Sequence, residues 1–311
     1  MPCFRPLTAY RTSQGSVVFS ENRRFGESVA TLQLPCGQCV GCRLERSRQW
    51  AVRCVHEAQC HESSYFVTLT YAPENLPIGR TLVYRHVQLF LKRLRKWYRR
   101  PVRYYVCGEY GEQLDRPHYH ALLFGLELSD LKPYRTGGRY KLWTSAKLDA
   151  LWGLGFCSVG QVTFESAAYC ARYVMGKVNS EGVIAPDDFG NYYWRAAEEY
   201  YSYVDQETGE VFSRVPEFSR MSLRPGIGAT WFKSFSSDVY PSGMVVARGV
   251  ESKSPRYYDK LYKSLDPIGY DQLIFEREVE GRSRYLDNTD ERLSVREQVT
   301  AARVRLLKRS I

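Results

Sequence analysis

Two histidines and a glutamate have the types and the spacing needed to bind one metal ion. His118 and His120 flank Tyr119 in an apolar run that predicts a β-strand, so both imidazoles leave the same face of the sheet. Glu109 ends the preceding strand-like run, and a hairpin between the two runs would bring its carboxylate to the imidazoles. Two nitrogens and one oxygen leave coordination positions open, which suits Mg²⁺ or Mn²⁺ polarising a phosphate oxygen. The alternatives are solvated histidines and an ordinary ion pair between Glu109 and Arg116.

Two tyrosines and a lysine share one face of a predicted helix. Tyr169, Tyr173 and Lys177 are spaced by four residues within a helix predicted over 166–178, with Ser166 as its N-cap. A phenol with a pKa of about 10 is a poor nucleophile unless a metal activates the phosphorus that it attacks. Lys177 could neutralise that phosphate or hold the tyrosinate. The alternative is that the tyrosines only pack in the core.

Three cysteines with two residues between neighbours form the other compact group. Cys36, Cys39 and Cys42 could hold a structural Zn²⁺ ion if a fourth ligand came from elsewhere, and Cys3 is one candidate. The alternatives are reduced buried thiols or an iron–sulfur cluster. Nine cysteines, an odd number placed unevenly, argue against a secreted disulfide framework. The other candidates for the fourth ligand are Cys54, Cys60, His56 and His61.

Alternating and helical patterns predict the scaffold that must position these residues. The order β-α-β-β-α-β-α favours an α+β fold, in which a central antiparallel sheet carries helices on one face, as in ferredoxin-like or RNA-recognition-motif domains. The strands are predicted over 65–71, 102–110, 118–126 and 156–164, and the helices over 87–98, 145–152 and 166–178.

The flanks of this scaffold differ from it in composition. We predict a Cys-rich basic region at 1–64, a core at 65–180 and a C-terminal region at 181–311. The last region turns acidic between residues 187 and 210 and ends in a basic helix predicted over 291–311.

The overall charge favours a polyanionic partner. The chain has 44 Lys and Arg against 34 Asp and Glu, a formal charge of +10, and 24 Tyr whose faces could stack on unpaired bases. No apolar run is long enough for a signal peptide or a membrane span, so we expect a cytoplasmic protein.

Three segments in order along the chain resemble the motifs of the HUH endonuclease superfamily, and specifically of its two-tyrosine replication initiators. They are YFVTLTY at 65–71, GEYG followed by RPHYH at 108–120, and YCARYVMGK at 169–177. The flanking runs CGQCVGCRLERSRQW and FSRMSLRPGIG are similar to the replication initiation proteins of gokushoviruses, which are small single-stranded DNA phages of the microvirus family. The resemblance implies a central sheet of the HUH type.

The resemblance also implies roles for the candidate residues. His118 and His120 would hold the divalent metal with Glu109 as the third ligand, and Tyr169 and Tyr173 would alternate as nucleophiles. One tyrosine would nick the origin strand, keep the 5′ phosphate as an ester and release a 3′ hydroxyl as a primer for rolling-circle replication.

The expected partners follow from that role. The sequence contains no G-x-x-x-x-G-K-[ST] motif, so a helicase and a DNA polymerase of a bacterial host are implied, and single-stranded origin DNA is the substrate. Arg93 and Lys96 on the basic faces of the helix at 87–98, and Arg100 directly after it, are the candidate DNA-binding residues. The rival hypotheses are a transposase or relaxase of the same superfamily, a non-catalytic nucleic-acid-binding module, and a zinc hydrolase.

Overall fold

An antiparallel sheet of seven strands forms the centre of the described structure. It comes from a computed structural model, which describes residues 3–20, 28–111, 114–135, 141–176, 183–186 and 192–306. Each strand pairs antiparallel with its neighbours in the order β14-β5-β6-β4-β9-β8-β7. The strands are β4 (Ser64–Thr70), β5 (Arg103–Tyr110), β6 (Pro117–Phe124), β7 (Lys132–Arg135), β8 (Leu142–Thr144), β9 (Cys157–Gln161) and β14 (Phe218–Met221).

One face of the sheet packs against α2 (Tyr84–Tyr98) and α3 (Ala146–Trp152). Because side chains alternate along a strand, Tyr119 and Leu123 of β6 point into this core. Helix α3 begins as predicted, since the Ser145 side chain accepts a hydrogen bond from Leu148 N at 3.1 Å.

The opposite face packs against α1 (Val40–Gln59) and α4 (Phe164–Gly176). Small side chains let these two helices approach each other and the sheet, among them Ala51 of α1 and Ala167 of α4, both fully buried. The α+β class and the antiparallel sheet are confirmed. The structure differs from the predicted single helical face, because α4 lies on the face opposite to α2 and α3, and α1 from the Cys-rich N-terminal region packs there beside it.

The remaining described elements lie on either side of this core in the sequence. The first residues form a small sheet of β1 (Leu7–Thr12), β2 (Val17–Val18) and β3 (Ser28–Leu34). Residues 183–253 contain three hairpins, namely β10 (Val183–Pro186) with β11 (Tyr192–Arg195), β12 (Ser202–Val204) with β13 (Val211–Ser213), and β15 (Met244–Ala247) with β16 (Val250–Lys253). The other helices are α5 (Ala197–Tyr200), α6 (Ala229–Val239), α7 (Arg256–Leu265), α8 (Pro267–Ser283) and α9 (Asp290–Arg305).

Helix α1 is shared by several parts of the molecule. Val52 of α1 packs in a core with Phe232 of α6 and Tyr258 of α7, and Cys42 at its other end packs with Leu293 of α9. The edge strand β14 also comes from the C-terminal region, so the sheet extends beyond the predicted core of 65–180. Among the described residues, no helix is both long and apolar enough to cross a membrane.

Candidate metal and tyrosine site

The register of the β5–β6 hairpin places Glu109 directly opposite His118. Since residues two apart on a strand share a face, His120 lies on the same side of β6 as His118. That side faces α1 and α4. The structure thus brings together the three residues predicted to bind a metal, which we call the metal triad (Glu109, His118 and His120).

The triad atoms converge on one carboxylate oxygen. Glu109 Oε1 lies 2.6 Å from His118 Nε2 and 2.8 Å from His120 Nε2. The other ring nitrogens are also bonded, since His118 Nδ1 lies 3.1 Å from the Arg116 carbonyl oxygen and His120 Nδ1 lies 2.9 Å from Thr68 Oγ1. A carbonyl oxygen only accepts hydrogen bonds, so Nδ1 of His118 must carry a proton, which leaves Nε2 directed at the carboxylate.

This donor set fits a divalent cation. In metal-binding histidines the second ring nitrogen is commonly hydrogen-bonded to a carbonyl or another polar group, and here His118 Nδ1 is bonded to a carbonyl oxygen and His120 Nδ1 to a hydroxyl. The second carboxylate oxygen, Glu109 Oε2, is buried and has no hydrogen-bond partner in the part of the chain that the structure describes. Such an oxygen carries a desolvation cost that a bound cation would remove.

Burial and charge pairing set the pKa values of the triad. Burial is the largest effect on Glu109 and opposes ionisation, but the charge of His120 and hydrogen bonds from both histidines outweigh it, so the Glu109 pKa is lowered. Burial also opposes the charge of His118, yet its hydrogen bond to Glu109 prevails and raises the His118 pKa. Burial prevails at His120 and lowers its pKa. A proton on His118 therefore occupies the position that a metal would take.

Tyr169 reaches the triad from α4. Its hydroxyl donates to Glu109 Oε1 at 3.3 Å, and its ring lies edge-on to His120 with centroids 5.0 Å apart. Phe66 stacks on the His120 ring with centroids 5.1 Å apart and lies edge-on to the Tyr169 ring at 6.3 Å. Tyr173 lies one helical turn further along α4, but its side chain is outside the described residues, as is Lys177.

The first turn of α4 is held by a reciprocal pair of side-chain bonds. Thr163 Oγ1 accepts from Ser166 N at 3.1 Å, and Ser166 Oγ accepts from Thr163 N at 2.8 Å. Thr163 is therefore the N-cap, and the prediction of Ser166 in that position is wrong by three residues. The helix starts at Phe164 because this arrangement satisfies backbone N–H groups at both ends of its first turn.

Helix α1 packs against α4 and forms a hydrogen bond to it. Ser47 Oγ donates to the carbonyl oxygen of Ala168 at 3.1 Å, next to Tyr169 in the sequence. Cys54 of α1 and Cys170 of α4 are buried in the same core, and burial raises the pKa of both thiols. Both cysteines therefore fill space as thiols.

The predicted DNA-binding residues lie on the other side of the sheet. Arg93, Lys96 and Arg100 belong to or follow α2, whose face of the sheet is opposite to that of the metal triad. Arg93 donates to the carbonyl oxygens of Leu151 and Trp152 at 2.6 and 2.7 Å. These bonds provide partners for two carbonyl groups in the last turn of α3. Lys96 and Arg100 are exposed, and their contact with DNA stays a prediction.

The four cysteines of the zinc hypothesis lie together. The Sγ atoms of Cys3, Cys36, Cys39 and Cys42 are all within 4.8 Å of one another, and we call this group the cysteine cluster. The other candidates lie elsewhere, since Cys54 is about 18 Å along α1 from Cys42 at 1.5 Å per residue. Burial raises the pKa of Cys3 and Cys42, whereas backbone N–H groups outweigh burial at Cys39 and lower its pKa to about 7.

Sequence reasoning missed the roles of Thr68 and Phe66. The sequence predicts residues 65–71 only as a strand of the sheet, although the alternation along β4 puts both residues on the face of His120. The register Thr68↔His120 gives the contact. The available signal was the spacing of two residues between Phe66 and Thr68, which puts both on one face of the strand next to the histidines.

Comparison with known proteins identifies the family. Residues 64–178, from β4 to the end of α4, match the family model described as replication-associated protein ORF2/G2P. The chain is 31% identical to replication-associated protein VP4 of Bdellovibrio phage phiMH2K over 277 residues, which cover 86% of this chain and 79% of the relative. The chain therefore belongs to the family of phage replication-associated proteins.

Two further relatives agree. Replication-associated protein ORF2 of Spiroplasma virus 4 is 31% identical over 283 residues, covering 84% of this chain and 80% of the relative. Replication-associated protein ORF4 of Chlamydia phage 1 is 28% identical over 242 residues, covering 75% of this chain and 54% of the relative. No solved structure matches the chain. The resemblance to phage replication initiators is confirmed at the level of the family, which gives the chain a role in the initiation of phage replication.

Proposed function

We propose that the protein nicks and rejoins single-stranded DNA at a phage replication origin, with Tyr169 and Tyr173 as nucleophiles, and thereby initiates rolling-circle replication. The observation that carries the proposal is the convergence of one tyrosine on the metal triad. Glu109 Oε1 lies 2.6 and 2.8 Å from the two imidazole nitrogens and 3.3 Å from the Tyr169 hydroxyl. Membership of the replication-associated family supports the biological setting.

Each residue of the site has a defined task in this proposal. The metal triad would hold Mg²⁺ or Mn²⁺, which when bound supplies Lewis-acid polarisation of a phosphodiester oxygen. The Arg116 carbonyl and Thr68 orient His118 and His120 through their Nδ1 atoms. Helix α4 holds the Tyr169 hydroxyl beside the triad, so that a phosphate bound there would lie within its reach.

The covalent step exchanges one phosphate ester for another. The tyrosine oxygen bonds to phosphorus, the bond from phosphorus to the 3′ oxygen breaks, and the phenol proton ends on that oxygen in net terms. The products are a 5′-phosphotyrosine ester and a 3′ hydroxyl that can serve as a primer. Because the ester keeps the energy of the phosphodiester, the strand can be rejoined without ATP. A second tyrosine could cut the regenerated origin while the first is occupied.

The partners follow from this chemistry. The charge of +10 favours the polyanionic strand. A host helicase and DNA polymerase would separate and extend the strands, since the sequence has no P-loop motif. A transposase or relaxase would use the same chemistry, and the replication-associated relatives favour replication.

A covalent-trapping experiment tests the proposal. The protein is incubated with a labelled random pool of single-stranded DNA and Mn²⁺, with and without EDTA, and a denaturing gel is inspected for a protein–DNA band. We expect a band that EDTA abolishes and that the double variant Tyr169→Phe, Tyr173→Phe lacks. Tyr134→Phe is the matched control, because Tyr134 lies 61% exposed on the edge strand β7.

Sequencing the trapped DNA would then give the cleavage site. Tight binding that is independent of metal and leaves no band would overturn the proposal in favour of a non-catalytic binding module.

A further inference from the structure

The cysteine cluster lies at the N-terminal end of α1. It shares no residue with the metal triad and precedes it in the sequence by more than 60 residues. All four of its residues are free cysteines, and Cys3, Cys39 and Cys42 are buried. The four Sγ atoms come from two separate parts of the chain, since Cys3 precedes the small N-terminal sheet and the others follow it. Four thiols brought together in this way, three of them buried, need an explanation beyond packing, because cysteine sulfur prefers apolar neighbours or a metal.

Backbone N–H groups point at the sulfurs. Cys36 Sγ accepts from the backbone N–H groups of Gln38 and Cys39, at 3.4 and 3.3 Å. Cys3 Sγ accepts from Cys36 N at 3.3 Å, and Cys39 Sγ accepts from Phe4 N at 3.3 Å. Donors arranged around sulfur stabilise thiolates, which are the metal-binding form of cysteine.

Gly37 makes the turn between the first two cysteines possible. Its φ is +76°, a conformation that other residues rarely adopt. This turn folds Cys36 back so that both N–H groups beyond it reach its sulfur. The sequence Cys36-Gly37-Gln38-Cys39 is thus shaped as a ligand loop rather than as an ordinary approach to a helix.

Positive charge surrounds the cluster. Arg46 Nη2 donates to the Gly37 carbonyl oxygen at 3.1 Å, and both Arg5 and Arg43 interact electrostatically with Cys36 and Cys39. The N-terminus of α1, which begins directly after Cys39, adds a partial positive charge. Four thiolates around a divalent ion carry a net charge of −2, and these groups offset it.

The spacing of the sulfurs selects the kind of metal centre. Zinc–sulfur bonds of about 2.3 Å in a tetrahedron place the sulfurs about 3.8 Å apart. The Cys39 and Cys3 sulfurs are 4.0 Å apart, and all pairs are within 4.8 Å, so small movements would close the site on one ion. A four-iron cluster needs a wider cage, because its irons lie between the sulfurs. We propose that Cys3, Cys36, Cys39 and Cys42 bind one structural Zn²⁺ ion.

The site would join the first residues of the chain to two helices. Leu293 of α9 packs against the cluster, Glu297 of α9 accepts a hydrogen bond from Arg5 at 2.9 Å, and Arg296 lies over the Phe4 ring. Zinc binding to Cys3 therefore holds the segment on which α9 docks. The ion also fixes the first turn of α1, the helix that supports α4.

Metal analysis of the full-length protein tests the proposal. We expect about one zinc per chain in the wild type and in Cys60→Ser, and far less in Cys42→Ser. Cys60 is the matched control because it ends the same helix outside the cluster. Replacing zinc by Co²⁺ should give the visible absorption of a tetrahedral cobalt–thiolate site in the wild type and in Cys60→Ser.

The test is independent of the proposed DNA chemistry. The variant with Glu109→Gln, His118→Ala and His120→Ala should keep its zinc and lose the covalent DNA band. Hydrogen exchange of residues 290–305 should rise on zinc removal, while that of the central strands stays unchanged. A disulfide within the cluster, iron with acid-labile sulfide, or full zinc retention in Cys42→Ser would each overturn the proposal.

Discussion

At the scale of single residues, the proposed metal site would depend on the hydrogen bonds that orient its ligands as much as on the ligands themselves. His120 can offer Nε2 to a metal only if its Nδ1 keeps the proton, and Thr68 Oγ1 is the partner of that Nδ1 at 2.9 Å. In that tautomer the hydroxyl accepts the hydrogen bond from Nδ1 and helps to hold the ring in place. Phe66, stacked on the same imidazole, limits its rotation.

Thr68→Val should therefore weaken metal binding without removing a ligand. Valine keeps the shape of threonine and loses the hydroxyl, so we expect the apparent Mn²⁺ affinity to fall by about 10- to 100-fold, as for other partners of ligating histidines. Titration of Mn²⁺ by calorimetry measures it. Thr70→Val is the control, because Thr70 Oγ1 donates to the Phe156 carbonyl oxygen instead. Equal affinities of the two variants would contradict a positioning role for Thr68.

Several residues of the site were predictable because their contacts are local. His118, His120 and Glu109 lie on a hairpin, where strand alternation and a short connection fix which side chains meet. The contacts of Thr68 and Tyr169 come from strands and helices distant in the sequence, so periodicity alone could not give them. The same holds for Cys3, which precedes Cys36 by a whole three-stranded sheet.

At the scale of elements, α1 is the feature that the sequence pattern did not place. The sequence predicted the residues of α1 only as part of the basic region at 1–64, and nothing local indicated that Ala51 and Cys54 would pack under β4, β5 and β6. The edge strand β14 is equally non-local, since it lies more than a hundred residues after β5. Between residues 64 and 176 the sequence predicted β4, α2, β5, β6, α3, β9 and α4 in their order, because each of these has a clear period. It missed β7 and β8, which are only four and three residues long.

Because α1 packs against α6 and α7, one buried histidine should make the free energy of unfolding depend on pH. His56 of α1 is buried, stacks on Trp231 with centroids 3.5 Å apart, and has Nδ1 3.0 Å from Tyr258 Oη. Burial lowers the pKa of His56 from 6.5 to about 4. His56 therefore stays neutral in the folded protein at pH values where it is protonated in the unfolded chain. Its protonation in the unfolded chain has no effect on the free energy of unfolding above pH 6.5 and lowers that free energy as the pH falls toward 4.

His56→Gln should remove this pH dependence, because glutamine keeps a hydrogen-bonding group and does not titrate. Between pH 7 and pH 4 we expect the free energy of unfolding of the wild type to fall by about 3 kcal/mol more than that of the variant. Urea denaturation at a series of pH values gives both curves. Parallel curves would mean that His56 accepts its proton within the folded state.

At the scale of the whole molecule, buried charges join regions that look separate in the sequence. Glu57 of α1 is fully buried, forms an ion pair with Arg103 of β5, and accepts from Gly228 N before α6 at 2.7 Å. Gly228 has φ +80°, and a Cβ there would clash with Tyr258 Oη. The segment Arg224-Pro225-Gly226-Ile227-Gly228 therefore packs closely against α1, and glycine at position 228 permits this approach.

Glu57→Gln should destabilise the protein strongly, because it leaves the mostly buried guanidinium of Arg103 without its charged partner. We expect a loss of about 3 kcal/mol in the free energy of unfolding, measured by urea denaturation. Glu127→Gln is the control, since Glu127 pairs with Arg100 at 3.3 Å and the two side chains are 55% and 67% exposed. That change should cost less than about 1 kcal/mol. Similar losses in the two variants would contradict the importance of the buried pair.

Because α1 packs against several parts of the molecule, we expect that residues 65–180 do not fold as an independent unit. A chain shortened to residues 65–180 keeps the metal triad and α4 but lacks α1 and β14, so one face of its sheet would expose Tyr105, Leu122 and Phe124 to water. We expect this fragment to lack the near-ultraviolet circular dichroism of packed aromatic rings and to bind a hydrophobic dye, whereas the full chain does neither. Coincident urea transitions by far-ultraviolet circular dichroism and tryptophan fluorescence should show one cooperative unit in the full chain. A fragment that unfolds cooperatively by itself would instead establish residues 65–180 as an independent domain, with α1 as a detachable support for the tyrosine helix.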